Sequence, residues 1–600
     1  VGYDLDEVIQ AAMGCLVNVS GEQPPPDQIV SFLVTNQVPL LSLAPNEERR
    51  YRHGGRLVES HAFVSALQGD ARSFHEAHLH FRSVVQQWDG DGIPSICFKS
   101  AGVYPSFPYT SENIDVLVQP DDAEAAARGL VRLGYVELRN IEEPEKWMFR
   151  LFAGGRSLSA IHLHTRVGWG QGFMLESEIW RRRRVSPDDA ITWVPGPEDC
   201  LLINLAHALY ENKAFSLHDI LKIRHAIKTG IDWHSVADVA RERGWAGGLE
   251  LGLAVAAELE QRLFATPVIP NWEDRRIFAP TGQTRTVDTQ VDRARAGQPR
   301  LPFPMSFVLT KRLFFEKIVY DRRVSPTEKP ILALLALVRG LKGQLGIHPQ
   351  NSALFTLSGP DGSGKTGQAE ALQAVLSISE LRSRILWARV GATPMMARLS
   401  QAWRGRRERM PEHGSATTVP ERRPIKTGRL LVPWAMLSCL DFAAWLARIR
   451  WHLCRGHIVI ADRYLCDLDV ELEERLPDRP TLRRELMRAL RTVAPSPTRA
   501  FSLSVEPDVA RRRARADRDD ADPGLQVDLY RERSETYGLV PVDANEPFDE
   551  AAAAIEREAL QAYMSAFAPR LNLLFFSNPW QLNRRRGPRP RLPATLQPSR

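Results

Sequence analysis

The chain has 600 residues, which at ~150 residues per domain excludes a single folded unit and predicts three or four domains or two large ones. Hydrophobic residues at 44% and charged residues at 25% exclude wholesale disorder, because there is apolar material enough to build cores. Lys and Arg number 78 against 72 Asp and Glu, a net charge of +6 that selects a polyanionic partner only where it is concentrated. The six cysteines (Cys15, Cys97, Cys200, Cys439, Cys454, Cys466) are scattered, with no CxxC pair, a pattern of reducing compartments rather than of a disulfide framework or structural zinc. The longest wholly apolar run is Ile331 to Val338, and the N-terminus carries Asp4, Asp6 and Glu7. No transmembrane segment is expected from this pattern, since a span needs about 18 apolar residues, and a cytoplasmic location follows as the expectation.

In chain order, residues 1–270 alternate helical patterns with a few short strands. Residues 113–118 (Asn-Ile-Asp-Val-Leu-Val) and 160–164 (Ala-Ile-His-Leu-His) read as strands, and 197–227 as helical. Strand alternation places Asn113 and Asp115 on one face. Prolines at 270, 280, 299, 302, 304, 326 and 330 break up residues 271–350, which read as a basic linker carrying one or two helices. Short β-rich runs alternate with helical patterns over 351–577, the signature of a parallel sheet flanked by helices. The tail, 578–600, carries Arg584, Arg585, Arg586, Arg589, Arg591 and Arg600 without an acid and is expected to be disordered.

Within the second half, Gly359-Pro360-Asp361-Gly362-Ser363-Gly364-Lys365-Thr366 fits the phosphate-loop (Walker A) pattern GxxxxGK[ST]. It follows a strand candidate, 353–357, and opens a helix with Ala369, Leu372, Val375 and Leu376 on one face. Such a loop presents backbone N–H groups and a helix N-terminus to a triphosphate, a lysine to its outer charge and a hydroxyl to Mg²⁺. Later runs continue the pattern: 458–460 ending in Asp462-Arg463-Tyr464, 501–505 followed by Pro507-Asp508-Val509 and the arginine run 511–518, and Val542-Asp543-Ala544. Between Leu381 and Leu430 lie twelve Arg or Lys against three Glu. That stretch implies an anionic acceptor near Arg389 at the end of the strand 385–390, or membrane or nucleic-acid phosphates, or a merely solvated surface.

Residues 359–368, 462–464, the strand-Pro-Arg series at 501–518 and 542–544 together resemble the thymidylate kinases, over about 220 residues. The resemblance implies ATP and Mg²⁺ as cofactors and a nucleoside monophosphate such as dTMP as acceptor. It implies a nucleotide cradle of Gly359, Asp361, Gly362, Ser363, Gly364, Lys365 and Thr366, metal contacts at Thr366 and Asp462, and acceptor contacts at Asp361, Arg389 and Arg463. Arg513, Arg515 and Arg518 would act from a lid, and a dimer is plausible by the same resemblance. Where thymidylate kinases place Ser and Gln after Asp-Arg-Tyr, this chain has Asp467, Asp469 and Glu471. Asp467 and Asp469 can bind sugar hydroxyls, bind Mg²⁺, or cap a helix. The first reading admits a kinase of a phosphorylated sugar or other hydroxyl-bearing metabolite, and a non-catalytic ATP-gated binding module is a further alternative.

In the first half, Phe98-Lys99-Ser100-Ala101-Gly102 followed by Asn113-Ile114-Asp115, the strand 160–164, and the helical stretch with His207 and His218-Asp219 resemble the bacterial nucleotidyltransferase-like family. That family carries an Asp-x-Asp strand and a third acid. Here Asn113 and His162 stand at two of the three acidic places, so the domain is expected to be degenerate. A binding or scaffold role near Lys99 and Ser100, a changed metal preference through Asp115, His162 and His164, and a purely structural role are the three readings this leaves. The fold class expected for the whole is α/β: a phosphate-loop parallel sheet at the C-terminal end and an α+β nucleotidyltransferase-like domain before it.

Overall fold

The computed structural model describes residues 3–16, 24–43, 55–99, 113–138, 146–168, 171–186, 192–270, 284–344, 350–387, 431–513 and 523–575. The chain is mixed α/β and forms two compact units, the first of residues 1–151 and 158–347 and the second of 348–569 together with 152–157.

The first unit is built on a five-stranded sheet in the order β1-β2-β5-β4-β3, where β1 is Ser95–Cys97, β2 Ile114–Val118, β3 Val136–Leu138, β4 Lys146–Ala153 and β5 Arg156–His164. β1 runs antiparallel to β2, and β2 parallel to β5, with Asp115 opposite His162 and Leu117 opposite His164. Alternation sorts these strands into two faces. Ile114, Val116, Val118, Ile161 and Leu163 pack against Phe81, Val84, Val85 and Trp88 of the helix His61–Gly90 and against Ala126, Ala127 and Leu130 of the helix Ala123–Arg132. The spacing of the four residues on the long helix, 81, 84, 85 and 88, is that of one helical stripe. The indole N–H of Trp88 donates to the Ala126 carbonyl at 3.0 Å, so the largest buried ring leaves no polar atom unsatisfied.

Ile96, Phe98 and Leu117 belong to a different core, with Leu201, Leu205, Ile220, Ile223, Leu249 and Leu253 from the helices Pro197–Ala206, Leu217–Thr229 and Ala246–Leu263. Asp115, His162 and His164 alternate onto that face and are buried. The proline-rich stretch expected to be a linker contributes to this core: Ala294, Phe303, Met305, Leu309 and Leu313 are buried in it, and Lys317 pairs with Asp321 at 2.7 Å. Prolines there interrupt segments without preventing Leu309 and Leu313 from facing inward on the helix Phe307–Tyr320.

The second unit holds five strands, all parallel, in the order β7-β8-β6-β9-β10. Here β6 is Ala353–Ser358, β7 Ser383–Trp387, β8 Ile458–Asp462, β9 Arg499–Ser504 and β10 Val540–Asp543. β6 and β8 are buried along their whole length, as mainly apolar strands in the interior of a parallel sheet should be. The chain leaves central β6 for edge strand β7, returns to β8, and then crosses to β9 on the other side of β6. That reversal opens a crevice beyond the carboxyl ends of β6, β8 and β9.

The helix Leu431–Cys454 bears on the expectation of no transmembrane segment. Over Val432–Cys454 it is long and apolar enough by composition to cross a membrane, the one such helix among the described residues, and 39% of its apolar window is buried. Asp441, Arg448 and Arg450 interrupt its apolar pattern, so it contains no long uninterrupted apolar run. Ala435, Cys439, Phe442, Leu446 and Ile449 form a stripe in the core of the second unit, while Met436, Leu440 and Trp451 on the same helix are exposed.

Candidate functional site

In the second unit the residues 359–364 join the carboxyl end of β6 to the helix Lys365–Ile378. Two glycines are dictated by the backbone. A Cβ at Gly359 would lie 2.7 Å from the Leu503 carbonyl oxygen, and Gly364 caps the helix at φ +86°. The Lys365 ammonium donates to the carbonyls of Gly359 and Pro360 at 2.6 and 2.8 Å. Burial, and after it the Arg463 guanidinium, push its pKa down to about 8.

The neighbouring strand delivers the counterpart. Asp462 ends β8 opposite Leu357, and its Oδ2 accepts the Thr366 hydroxyl at 2.7 Å. Its Oδ1 is buried without a hydrogen-bond partner among the described residues, and burial raises its carboxyl above the usual range. Arg463 follows with φ +78°, a left-handed backbone that a non-glycine residue adopts only under constraint. Its N–H donates to the Leu357 carbonyl at 2.9 Å and its guanidinium pairs with the Asp361 carboxylate. Asp361, Lys365, Thr366, Asp462 and Arg463 are thereby gathered at one end of the sheet.

Of the remaining expected residues, Asp467 meets the start of the loop, while Asp469 and Arg513 are engaged by other partners. Asp467 accepts four hydrogen bonds: from the Ser358 hydroxyl at 2.6 Å, the Gly359 N–H at 3.4 Å, the Tyr464 N–H at 2.8 Å and the Tyr530 hydroxyl at 3.0 Å. It caps the helix Leu465–Arg475 and pins the start of the loop. Asp469 accepts from the Tyr537 hydroxyl at 3.0 Å and faces Arg483 and Arg533 at 3.6 and 3.7 Å. Both carboxylates are therefore absorbed in packing the end of the sheet. Arg513 ends the helix Pro507–Arg513 and donates to the Ala544 carbonyl at 2.7 Å. Arg389, Arg515 and Arg518 lie outside the described residues, as does most of the basic stretch; β7 runs Ser383–Trp387. Tyr530, 63 residues beyond Asp467, carries no signal in its own surroundings that would have marked it.

In the first unit Asp115 lies at the centre of a buried cluster. Its Oδ1 is 2.9 Å from His164 Nε2 and 3.5 Å from His162 Nδ1, while its Oδ2 faces the Lys99 ammonium at 3.2 Å. Burial opposes ionisation of Asp115, but Lys99 and the two imidazoles outweigh it and hold the carboxyl well below its ordinary value. Burial likewise lowers both histidines, His164 to about 4, so each imidazole is neutral near pH 7. Lys99 has φ +65° and reaches Glu211 at 3.4 Å, which also meets His207 at 3.1 Å. Glu211 and His207 sit on a widened helical turn, His207–Asn212, a local form frequent at functional sites. Glu211 was not among the residues singled out from the sequence. Asp219, by contrast, makes a capping box with Ser216, and His218 is buried edge-on to Tyr3; both serve the fold. Ser100, Ala101 and Gly102 lie outside the described residues. The three ligand-type atoms of Asp115, His162 and His164 lie within 4.8 Å of one another, a group able to hold a metal ion.

Residues 75–261 match the family described as "Uncharacterised nucleotidyltransferase". The match spans the sheet that carries Asp115, His162 and His164 and the helices packed on it, and it points to transferase chemistry on nucleotides. No curated protein matches the chain.

Proposed function

We propose that the second unit is an ATP- and Mg²⁺-dependent P-loop phosphotransferase of the thymidylate kinase-like class, acting on an anionic acceptor such as a nucleoside monophosphate. One observation carries this reading: the Thr366 hydroxyl is bonded to the Asp462 carboxylate at 2.7 Å, with Lys365 one residue earlier, at the carboxyl ends of adjacent parallel strands. A hydroxyl beside a carboxylate whose second oxygen is unpartnered is a hard, all-oxygen donor pair that suits Mg²⁺. Thr366 and Asp462 would hold the ion, which would supply positive charge to offset that of the phosphates.

The chain's own groups do the rest. Lys365, now folded back on the carbonyls of its own loop, exchanges those partners for the outer phosphates. The N–H groups at the start of the helix Lys365–Ile378 add a fixed positive dipole. Arg463 is held by Asp361 at the mouth of the loop, where its charge positions an acceptor phosphate. Arg513, bonded to the Ala544 carbonyl, is assigned with Arg515 and Arg518 to a cationic lid by sequence alone. Engagement of Asp467 and Asp469 by tyrosines, backbone and arginines removes the motive for a sugar-hydroxyl acceptor.

The test is transfer of label from γ-labelled ATP by the full chain to a panel of nucleoside monophosphates, sugars and sugar phosphates. Lys365→Met should abolish acceptor-dependent transfer without unfolding the protein, because it removes a charge and almost no volume. Undiminished transfer by that variant would refute the assignment. ATP binding with no turnover on any acceptor would favour a nucleotide-gated binding module instead.

A further inference from the structure

Nucleotidyl transfer by two Mg²⁺ ions needs a set of carboxylates, and the cluster in the first unit does not provide it. Asn113 precedes β2, His162 stands opposite Asp115 on β5, and Asp115 is the one carboxylate in the group of three. Mg²⁺ demands near-octahedral oxygen donors and takes imidazole poorly. We propose that Asp115, His162 and His164 hold one divalent transition-metal ion of the Zn²⁺ type, in a site that Mg²⁺ does not fill.

Three features of the cluster bear on this. Tetrahedral ligands at ordinary Zn–N and Zn–O distances of about 2.0–2.1 Å stand about 3.3 Å apart. The separations from Asp115 Oδ1 to the two imidazole nitrogens, 2.9 and 3.5 Å, bracket that edge, and with all three ligand atoms within 4.8 Å of one another a small turn of the rings closes the third. The strand register fixes this convergence, since the parallel pairing sets Asp115 beside His162, with His164 two residues on along the same face.

Hydrogen bonding permits this at a cost. The Nδ1 of His164 is buried without a partner among the described residues. A metal at Nε2 would displace the proton that now meets Asp115 onto Nδ1, where the N–H finds no acceptor among the described residues, so the bond to the metal must outweigh that buried donor. Phe98 stacks edge-on to the His164 ring at 5.0 Å and holds its plane.

Charge is the third feature. Asp115 and Glu211 are the acids of the cluster, and Lys99 and Lys146 are the cations acting on it. Two of each sign leave little field to draw in a hard ion, which binds by electrostatics. A borderline ion gains its affinity from bonds to nitrogen instead. The site leaves a coordination position for water or a phosphate oxygen, as catalytic zinc sites with three protein ligands do.

The experiment loads the full-length, chelator-stripped protein with Co²⁺ or Zn²⁺ in excess Mg²⁺, which occupies oxygen-donor sites such as Thr366 and Asp462. Equilibrium dialysis should find one tightly held ion per chain, in the order Zn²⁺ above Co²⁺ above Mn²⁺, and Co²⁺ should show visible absorption of a low-coordinate N/O site. His162→Ala and His164→Ala should each weaken binding by more than the about 10- to 100-fold typical of losing an outer-sphere partner. His162→Asp keeps a ligand at that position and should move preference from Co²⁺ toward Mg²⁺ and Mn²⁺, which a merely misfolded variant would not do. His457→Ala, on the second unit beside His452, controls for capture by other histidines and should change nothing. Zn²⁺ held equally by His162→Ala, absence of a stoichiometric ion, or displacement of Zn²⁺ by millimolar Mg²⁺ would each overturn the proposal.

Discussion

Asp467→Asn separates a structural carboxylate from a substrate reader. Each Asp467 oxygen accepts one hydroxyl and one backbone N–H: Ser358 and Tyr464 on Oδ2, Tyr530 and Gly359 on Oδ1. Asparagine preserves volume but turns one of these acceptors into a donor. The hydroxyls of Ser358 and Tyr530 can rotate to accept, whereas the backbone N–H groups cannot. The least costly arrangement sets the new NH₂ at Oδ1, where the Gly359 contact is long at 3.4 Å. The Tyr464 contact at 2.8 Å is then kept but loses its charge assistance. Bonds to a charged group contribute about 1.5–3 kcal/mol and neutral ones about 1 kcal/mol. One weak bond lost and three demoted from charged to neutral give an expected cost of about 2–3 kcal/mol. The readout is amide hydrogen exchange in peptides covering β6 and the loop at 359–364, which reports local opening. At about 1.4 kcal/mol per tenfold, exchange there should speed up about thirty- to hundredfold. ATP affinity should fall with it, since the loop is loosened. Unchanged exchange together with a raised KM for the acceptor alone would refute this account and return Asp467 to the acceptor site.

Arg463→Met should raise the acceptor KM or lower kcat while sparing ATP binding; lost ATP affinity with an unchanged acceptor profile would contradict the placement of Arg463. Lys365 has its pKa lowered from 10.5 to about 8 by burial and by Arg463, so the empty folded site disfavours its proton and a bound triphosphate restores it. ATP binding should thus take up a proton above about pH 8 and weaken as pH rises toward 10, a dependence that calorimetry in buffers of different ionisation enthalpy will show and that Lys365→Met should remove. In the protein without nucleotide, the same shift means that the folded state binds fewer protons than the unfolded chain, so this group adds stability as pH rises through that window. With Mg²⁺ as the sole divalent ion, the first unit should transfer no labelled nucleotide to protein or sugar; transfer abolished by Asp115→Asn would show that one carboxylate suffices.

Local pattern alone determined much of this protein. The apolar runs at 353–358 and 458–462, the glycines of the 359–364 loop and the Lys365-Thr366 pair that opens a helix are adjacent in the chain, so strand, loop and helix are legible without tertiary knowledge. Period-two alternation likewise put Asp115 on a definite face of its strand. Pairing across strands decided the rest. That Asp462 meets Thr366 depends on β8 lying beside β6, and that Asp115 meets two histidines depends on the register between β2 and β5. Asp467 has the sequence context of an acceptor residue, and only the arrival of Tyr530 from a distant helix makes it a structural one. A carboxylate is a ligand, a cap or a base according to which donors reach it first, and in a folded chain those donors come from segments whose separation in sequence hides them.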